Sequence, residues 1–229
     1  MSSVAPSQRQ TREFALIVLP LFALGVVSIL GSAVMPLLGV VSPLVLIAMA
    51  PRFSYMLLYA GVTDPTAYFI VCVSRMFAPD PFNYLLGRRY GEAGVRWVEK
   101  RTGQGTSRFL AYLMGLPKAA VLPALFLFPG VTCSALAGFS RISPVAFTVA
   151  NVGGTMIWVT VFRFFGEEFS TLFAWVRRFI EQHVIALTVA SLLSMLLFVY
   201  IWRKRQPDDL LADSLRSPLP EATEGARDE

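Results

Sequence analysis

The sequence predicts an all-α integral membrane protein with about four transmembrane helices plus two oppositely oriented re-entrant hairpins, arranged as an inverted repeat. Three observations point there. Hydrophobic residues make up 55% of the chain and charged residues 15%, against roughly 25% charged in soluble domains. Residues 14–51, 142–162 and 184–202 contain no charged side chain, and each run is near or above the ~20 residues that cross a bilayer as helix. Prolines and glycines interrupt two further apolar stretches, about 36–61 and 109–138, where a straight span cannot form.

Each element follows in order. Residues 1–13 are polar and predict a cytoplasmic tail; the long apolar run after them lacks a small-residue cleavage site, so it reads as an uncleaved first span over 14–34. Pro36, Gly39 and Pro43 then break the apolar run, and Arg52 forbids lipid exposure at mid-bilayer. A hairpin that turns at Pro51–Arg52 and leaves at Gly61 satisfies both constraints, because irregular backbone at depth needs protein or water around it. Asp64–Pro65 reads as a helix cap followed by a first-turn proline. The next span, 65–86, holds Arg75 and Asp80 and must break at Pro79 and Pro81, freeing carbonyls that Arg75 or a hairpin residue can serve.

A polar linker follows with Arg88, Arg89, Arg96, Lys100, Arg101 and Arg108, in which "VRWVEK" predicts a short interfacial helix anchored by Trp97. The second hairpin, 109–138, carries Pro117, Lys118 and Pro123 and turns at Pro129–Gly130 before Gly138. Span three is 144–164, where Gly153 and Gly154 allow a close helix contact. Residues 166–183 mix charge with Phe169, Leu172, Phe173, Trp175, Phe179 and Ile180, the pattern of an amphipathic surface helix. Span four is 184–202, closed by "RKR", so the membrane domain occupies 14–207. Residues 208–229 are acidic and proline-bearing and predict a disordered cytoplasmic tail.

Basic residues set the orientation. Arg9, Arg12, the linker and "RKR" belong in the cytoplasm, which places both termini there and makes the two hairpins dip in from opposite faces. Arg177 and Arg178 oppose this weakly. Arginine far outnumbers lysine, as in GC-rich bacterial genomes, so the expected location is a bacterial cytoplasmic (inner) membrane. Pro51, Gly61 and Pro65 in one half are echoed by Pro129, Gly138 and Pro144 in the other, the inverted-repeat logic of secondary transporters.

The net charge of +5 sits beside apolar spans, so anionic lipid headgroups are the simpler partner and no nucleic acid is expected. Cys72 and Cys133 suggest neither a disulfide framework nor zinc. No phosphate-cradling loop, metal motif or cofactor motif is present, and the lone His183 lies at an interface; no catalytic residues are expected, and the chain does not read as an enzyme. Asp80 is the leading chemical candidate: a carboxyl in hydrocarbon is paired, lines a wet cavity or takes up a proton. With Arg75 it forms the expected transport or proton-coupling pair, although a structural ion pair with Arg75, Arg88 or Arg89 is the plainer alternative. Arg52 and Lys118, at the two hairpins, are candidates to meet a lipid phosphate, as are Arg88, Arg89 and Arg141; anchoring or topology signalling is the plainer reading of each. Asn151 reads as an ordinary interhelical hydrogen-bonding residue. A homo-oligomer is compatible with the sequence.

Taken together, these residues resemble the DedA-like membrane proteins, also described as VTT-domain or SNARE-associated-type. The first-half pattern is similar at Asp80, Tyr84, Gly87, Arg88 and Gly91. The second-half pattern is similar at Pro129, Ala137–Gly138, Phe147, Asn151, Gly154 and Trp158. The resemblance covers about 35–165 plus the closing helix. It implies a lipid flippase or scramblase moving phosphate-bearing lipids such as undecaprenyl phosphate or a phospholipid, with proton coupling a natural mode. The chain departs from the family in two places. "APRFS" carries no acid at the first turn, and Phe126 and Thr132 stand where the family has arginines. It reads as a divergent member, with a non-transporting scaffold and a small-solute or ion carrier as the alternatives.

Overall fold

Proline spacing and apolar runs decide where this chain is helical and where it stops. The computed structural model describes residues 8–102 and 117–205, with side chains left out at several places near the ends of these segments. Residues 1–7 of the expected tail, the linker from 103, the start of the second expected hairpin and the acidic tail 208–229 lie outside the described residues, as does the side chain of Trp97.

All described elements are helical. They are α1 (Gln8–Ala33), α2 (Met35–Val41), α3 (Pro43–Met49), α4 (Phe53–Ala60), α5 (Pro65–Phe77), α6 (Asp80–Thr102), α7 (Lys118–Leu127), α8 (Val131–Phe139), α9 (Pro144–Glu168), α10 (Ser170–Gln182) and α11 (Val184–Arg205). α1 starts inside the expected polar tail, because Gln, Arg and Glu are good helix formers. Pro36 and Pro43 sit in the first turns of α2 and α3, where a missing N–H costs nothing. The chain is broken between α3 and α4 at Pro51, where Arg52 is extended, and between α7 and α8 at Phe128–Gly130. The Asp64 carboxylate caps α5, accepting from the Ala67 N–H at 2.8 Å, as its sequence predicts.

Among the described residues three helices are long and apolar enough to cross a membrane: Leu16–Ala33 within α1, Pro144–Glu168, and Val184–Ile201 within α11. The expected span 65–86 is instead two helices, α5 and α6, because Pro79 and Pro81 interrupt the hydrogen-bond ladder and Asp80 starts a new helix. Within α6, Gly91 adopts φ 57°, ψ −137°, a conformation open to glycine alone, so the chain takes a new helical direction there. α10 buries Ile180 and exposes Leu172, Trp175 and Phe179, the expected amphipathic pattern.

The described residues form two compact units, one from 8–22, 76–102 and 117–157, the other from 23–75 and 158–205. In the first unit α6 packs along α8 with almost no space between backbones. A Cβ at Gly87 would fall on the Ala135 carbonyl, and one at Gly138 on the Tyr84 carbonyl. Small residues on both helices make this approach possible. Around it Tyr84, Val121, Leu125, Leu136, Ala137, Ile142 and Phe147 form a buried cluster. In the second unit Gly166 of α9 lies against Leu57 and Ala60 of α4, and Phe53 packs on Phe162 with ring centroids 5.0 Å apart.

Candidate functional site

A single carboxylate sits in the interior of the first unit among amides and hydroxyls. Asp80, Asn83, Ser134, Asn151 and Thr155 are each at most 2% exposed. They come from three elements: Asp80 and Asn83 open α6, Ser134 lies in α8, and Asn151 and Thr155 lie one turn apart on α9. The Asn151 amide Nδ2 donates to Asp80 Oδ2 at 2.8 Å and lies 3.3 Å from Ser134 Oγ, and Thr155 Oγ1 donates to Asn151 Oδ1 at 3.4 Å. Asn83 turns back on its own helix start, donating from Nδ2 to the Pro79 carbonyl at 2.8 Å. Among the described residues Asp80 Oδ1 has no hydrogen-bond partner. Buried polar atoms are paired in the great majority of cases, so an orphan acceptor of this kind asks for a reason.

One helical turn along α6, Tyr84 links two arginine-bearing segments. Its hydroxyl donates to the Ile142 carbonyl at 2.6 Å and accepts from Arg88 Nη1 at 2.5 Å, while its ring stacks on Phe147 with centroids 4.5 Å apart. Arg141, just before Ile142, adopts φ 53°. α8 ends there with the Ile142 N–H donating to the Ala137 carbonyl and the Arg141 N–H to Gly138. This paired pattern closes a helix around a left-handed residue that is usually glycine. Arginine in that conformation costs about 1 kcal/mol.

The second unit satisfies its buried carbonyls with arginines. Arg75 Nε donates to the Ala48 carbonyl at 2.8 Å, and its Nη2 to Leu24 at 3.1 Å and Met49 at 3.3 Å. A cation at the carbonyl end of α3 is also favourably placed in the helix field. Arg163 donates to the Thr63 carbonyl at 3.0 Å, pairs with Glu167 and lies over the Tyr68 ring, 5.3 Å from its centroid. Arg177 donates to the Leu58 carbonyl at 2.8 Å near the end of α4.

The contacts of the two units match. Tyr68 and Phe147 stand 79 residues apart, in "DPTAY" and "SPVAF". In both, the first side chain accepts from the N–H three residues on: Ala67 to Asp64, Ala146 to Ser143. At the same spacing Tyr84 corresponds to Arg163. Tyr84 stacks on Phe147 and reaches the Ile142 carbonyl, whereas Arg163 covers Tyr68 and reaches the Thr63 carbonyl. Arg88 bonds Tyr84 as Glu167 bonds Arg163. Gly87 meets the Ala135 carbonyl as Gly166 meets that of Leu57, and Gly154 meets the Phe126 carbonyl where Arg75 serves that of Ala48. The two units thus make similar local contacts at these positions.

The repeat also isolates the polar cluster. At a spacing of 79 the positions matching Asp80, Asn83 and Asn151 are Val159, Phe162 and Cys72, and at the spacing of 78 that pairs Ala135 with Leu57 the position matching Ser134 is Met56, all apolar and at most 9% exposed. One copy of the joint is thus built without any of these polar groups.

Of the residues the sequence singles out, Asp80 and Asn151 are brought into direct contact, and Tyr84, Arg88 and Arg141 into one chain of neighbours. Arg88, expected as a possible counter-charge to Asp80, bonds Tyr84. Arg75 serves carbonyls around the first break. Arg52 is exposed at the start of α4, and Arg89 is exposed on α6. The side chain of Lys118 lies outside the described residues. Gly61 closes α4, and Pro51 and Pro129 stand in the two breaks. Sequence reading missed Asn83, Ser134, Thr155, Arg163 and Arg177. Small polar residues inside apolar helices carry no spacing signal. Cys72 and Cys133 are free. Among the described residues no group of three His, Cys, Asp or Glu side chains is placed to hold a metal.

No known family matches this chain, and neither a curated protein nor a solved structure is similar to it.

Proposed function

We propose that this chain is a divergent DedA-type transporter of phosphate-bearing lipids in a bacterial inner membrane, coupled to protons through Asp80. One observation carries the reading: the Asp80 carboxyl is buried, bonded through one oxygen to Asn151, and unpaired at the other. The matching place in the second unit holds Val159 and does without a carboxyl. Burying a polar group that folding does not require is costly, and in membrane helices such groups mark ion and substrate pathways. A carboxyl held by one oxygen can take a proton on the other and release it. The helix–break–helix pairs α3–α4 and α7–α8 supply the second support. Helices broken in this way are the element from which broken-helix transporters build their substrate sites.

The test is leaflet exchange of fluorescent lipids in liposomes carrying the purified protein. Wild type should accelerate exchange of a phosphate-bearing lipid, faster with an imposed proton gradient. Asp80→Asn should lower the rate at least tenfold while the melting temperature holds. No acceleration for any member of an anionic and zwitterionic lipid panel overturns the reading.

A further inference from the structure

The repeat serves as an internal control on the arginines of the first unit. The joint where α8 hands over to α9 has a counterpart where α4 hands over to α5. The counterpart carries Glu167 where the first unit has Arg88, and Val62 where it has Arg141. Neither arginine is therefore demanded by the architecture. Both are exposed. Their segments are tied by two hydrogen bonds in series, Arg88 Nη1 to Tyr84 Oη at 2.5 Å and Tyr84 Oη to the Ile142 carbonyl at 2.6 Å. Arg141 precedes Ile142 directly, so its backbone lies two hydrogen bonds from the Arg88 guanidinium.

The backbone adds an independent sign. Arg141 is the one non-glycine with positive φ among the described residues. The helix-closing pattern it occupies ordinarily takes glycine, and local strain is commonly kept where a side chain has a job. Tyr84 spends one guanidinium N–H of Arg88, and a guanidinium carries five. The remainder suit the tetrahedral oxygens of a phosphate, which arginine binds in paired fashion.

We propose that Arg88 and Arg141 form a clamp for a phosphate group, with Tyr84 setting the position of Arg88. The clamp rests on the lipid-transport reading and narrows it. A phosphate monoester headgroup offers the most charge and the most acceptor oxygens, so it is the preferred ligand over a zwitterionic headgroup. Asp80 does not take part in it.

Arg141→Gly tests this cleanly, because glycine relieves the left-handed backbone and the variant should melt at or above wild type. Detergent-solubilised full-length protein is titrated with dihexanoyl phosphatidic acid, dihexanoyl phosphatidylcholine and inorganic phosphate. Wild type should bind the phosphatidic acid at least tenfold more tightly than the phosphatidylcholine. Arg141→Gly and Arg88→Gln should each lose at least tenfold of that affinity, and Arg141→Lys should recover only part. Inorganic phosphate bound as tightly as the lipid, with the same losses in the variants, supports the clamp and makes free phosphate its ligand. Unchanged phosphatidic acid affinity in a folded Arg141→Gly overturns the clamp. Liposome exchange separates the two proposals. Binding without exchange in wild type retires transport and leaves the clamp, whereas normal exchange of phosphatidic acid by Arg141→Gly retires the clamp and leaves transport.

Discussion

Tyr84 and Arg163 stand at matching places in the two units, and each reaches the carbonyl just ahead of the next helix: Ile142 in one, Thr63 in the other. A phenol and a guanidinium thus make the same bond over the same aromatic position. The same substitution of means runs through both units. Gly154 lets α9 approach the Phe126 carbonyl, while Arg75 spans a wider gap to the Ala48 carbonyl. What differs is the interior. One unit holds Asp80, Asn83, Ser134 and Asn151; the other holds Val159, Phe162, Met56 and Cys72. The shared frame is a matter of helix breaks, caps and close approach. The polar interior is an addition to one copy.

The comparison breaks most severely at the glycines. Gly87→Ala places a methyl on the Ala135 carbonyl at the tightest helix contact of the first unit. Backbone cannot yield there as a side chain would, so thermal unfolding in detergent should show a loss of about 3 kcal/mol, the upper range for overpacking. A variant that melts with wild type would mean the α6–α8 contact is looser than described. Next in size is Arg75→Leu. It leaves the Ala48 and Met49 carbonyls at the end of α3 without their donor, at a cost of about 1–3 kcal/mol, read from the same melting curves. Lipid exchange measured on the Arg75→Leu protein that remains folded should persist, which separates this carbonyl cap from proton coupling at Asp80.

Sequence made the frame legible through groups with strong local effects. Pro79 and Pro81 had to break a helix, Asp64–Pro65 had to start one, and uncharged runs of bilayer length had to be apolar helices. The amphipathic stretch 166–183 carried its own periodicity. The partners of Asp80 were not legible, because Ser134 and Thr155 lie in apolar helices without any spacing that marks them as neighbours, and their meeting depends on how α6, α8 and α9 pack. The repeat was visible only as scattered prolines and glycines. Its matching positions exchange tyrosine for arginine, arginine for glutamate and glycine for arginine, so geometry is kept where residue type is not. The left-handed backbone at Arg141 was hidden for a related reason: nothing in "FSRIS" announces a position that usually takes glycine. Residues 65–86, apolar enough in composition, are divided at Pro79 into two helices and so do not appear among the three candidate spans of the described residues.

The central claim is that the polar interior of the first unit serves function and not folding. The double variant Asp80→Val, Asn151→Cys gives that unit the pair of residues the second unit already uses at the matching places. It should melt within about 1 kcal/mol of wild type, since replacing a buried polar pair by apolar residues is often neutral or stabilising, while leaflet exchange of a phosphate-bearing lipid falls at least tenfold. A double variant that unfolds, or one that folds and exchanges lipid at the wild-type rate, would contradict the account.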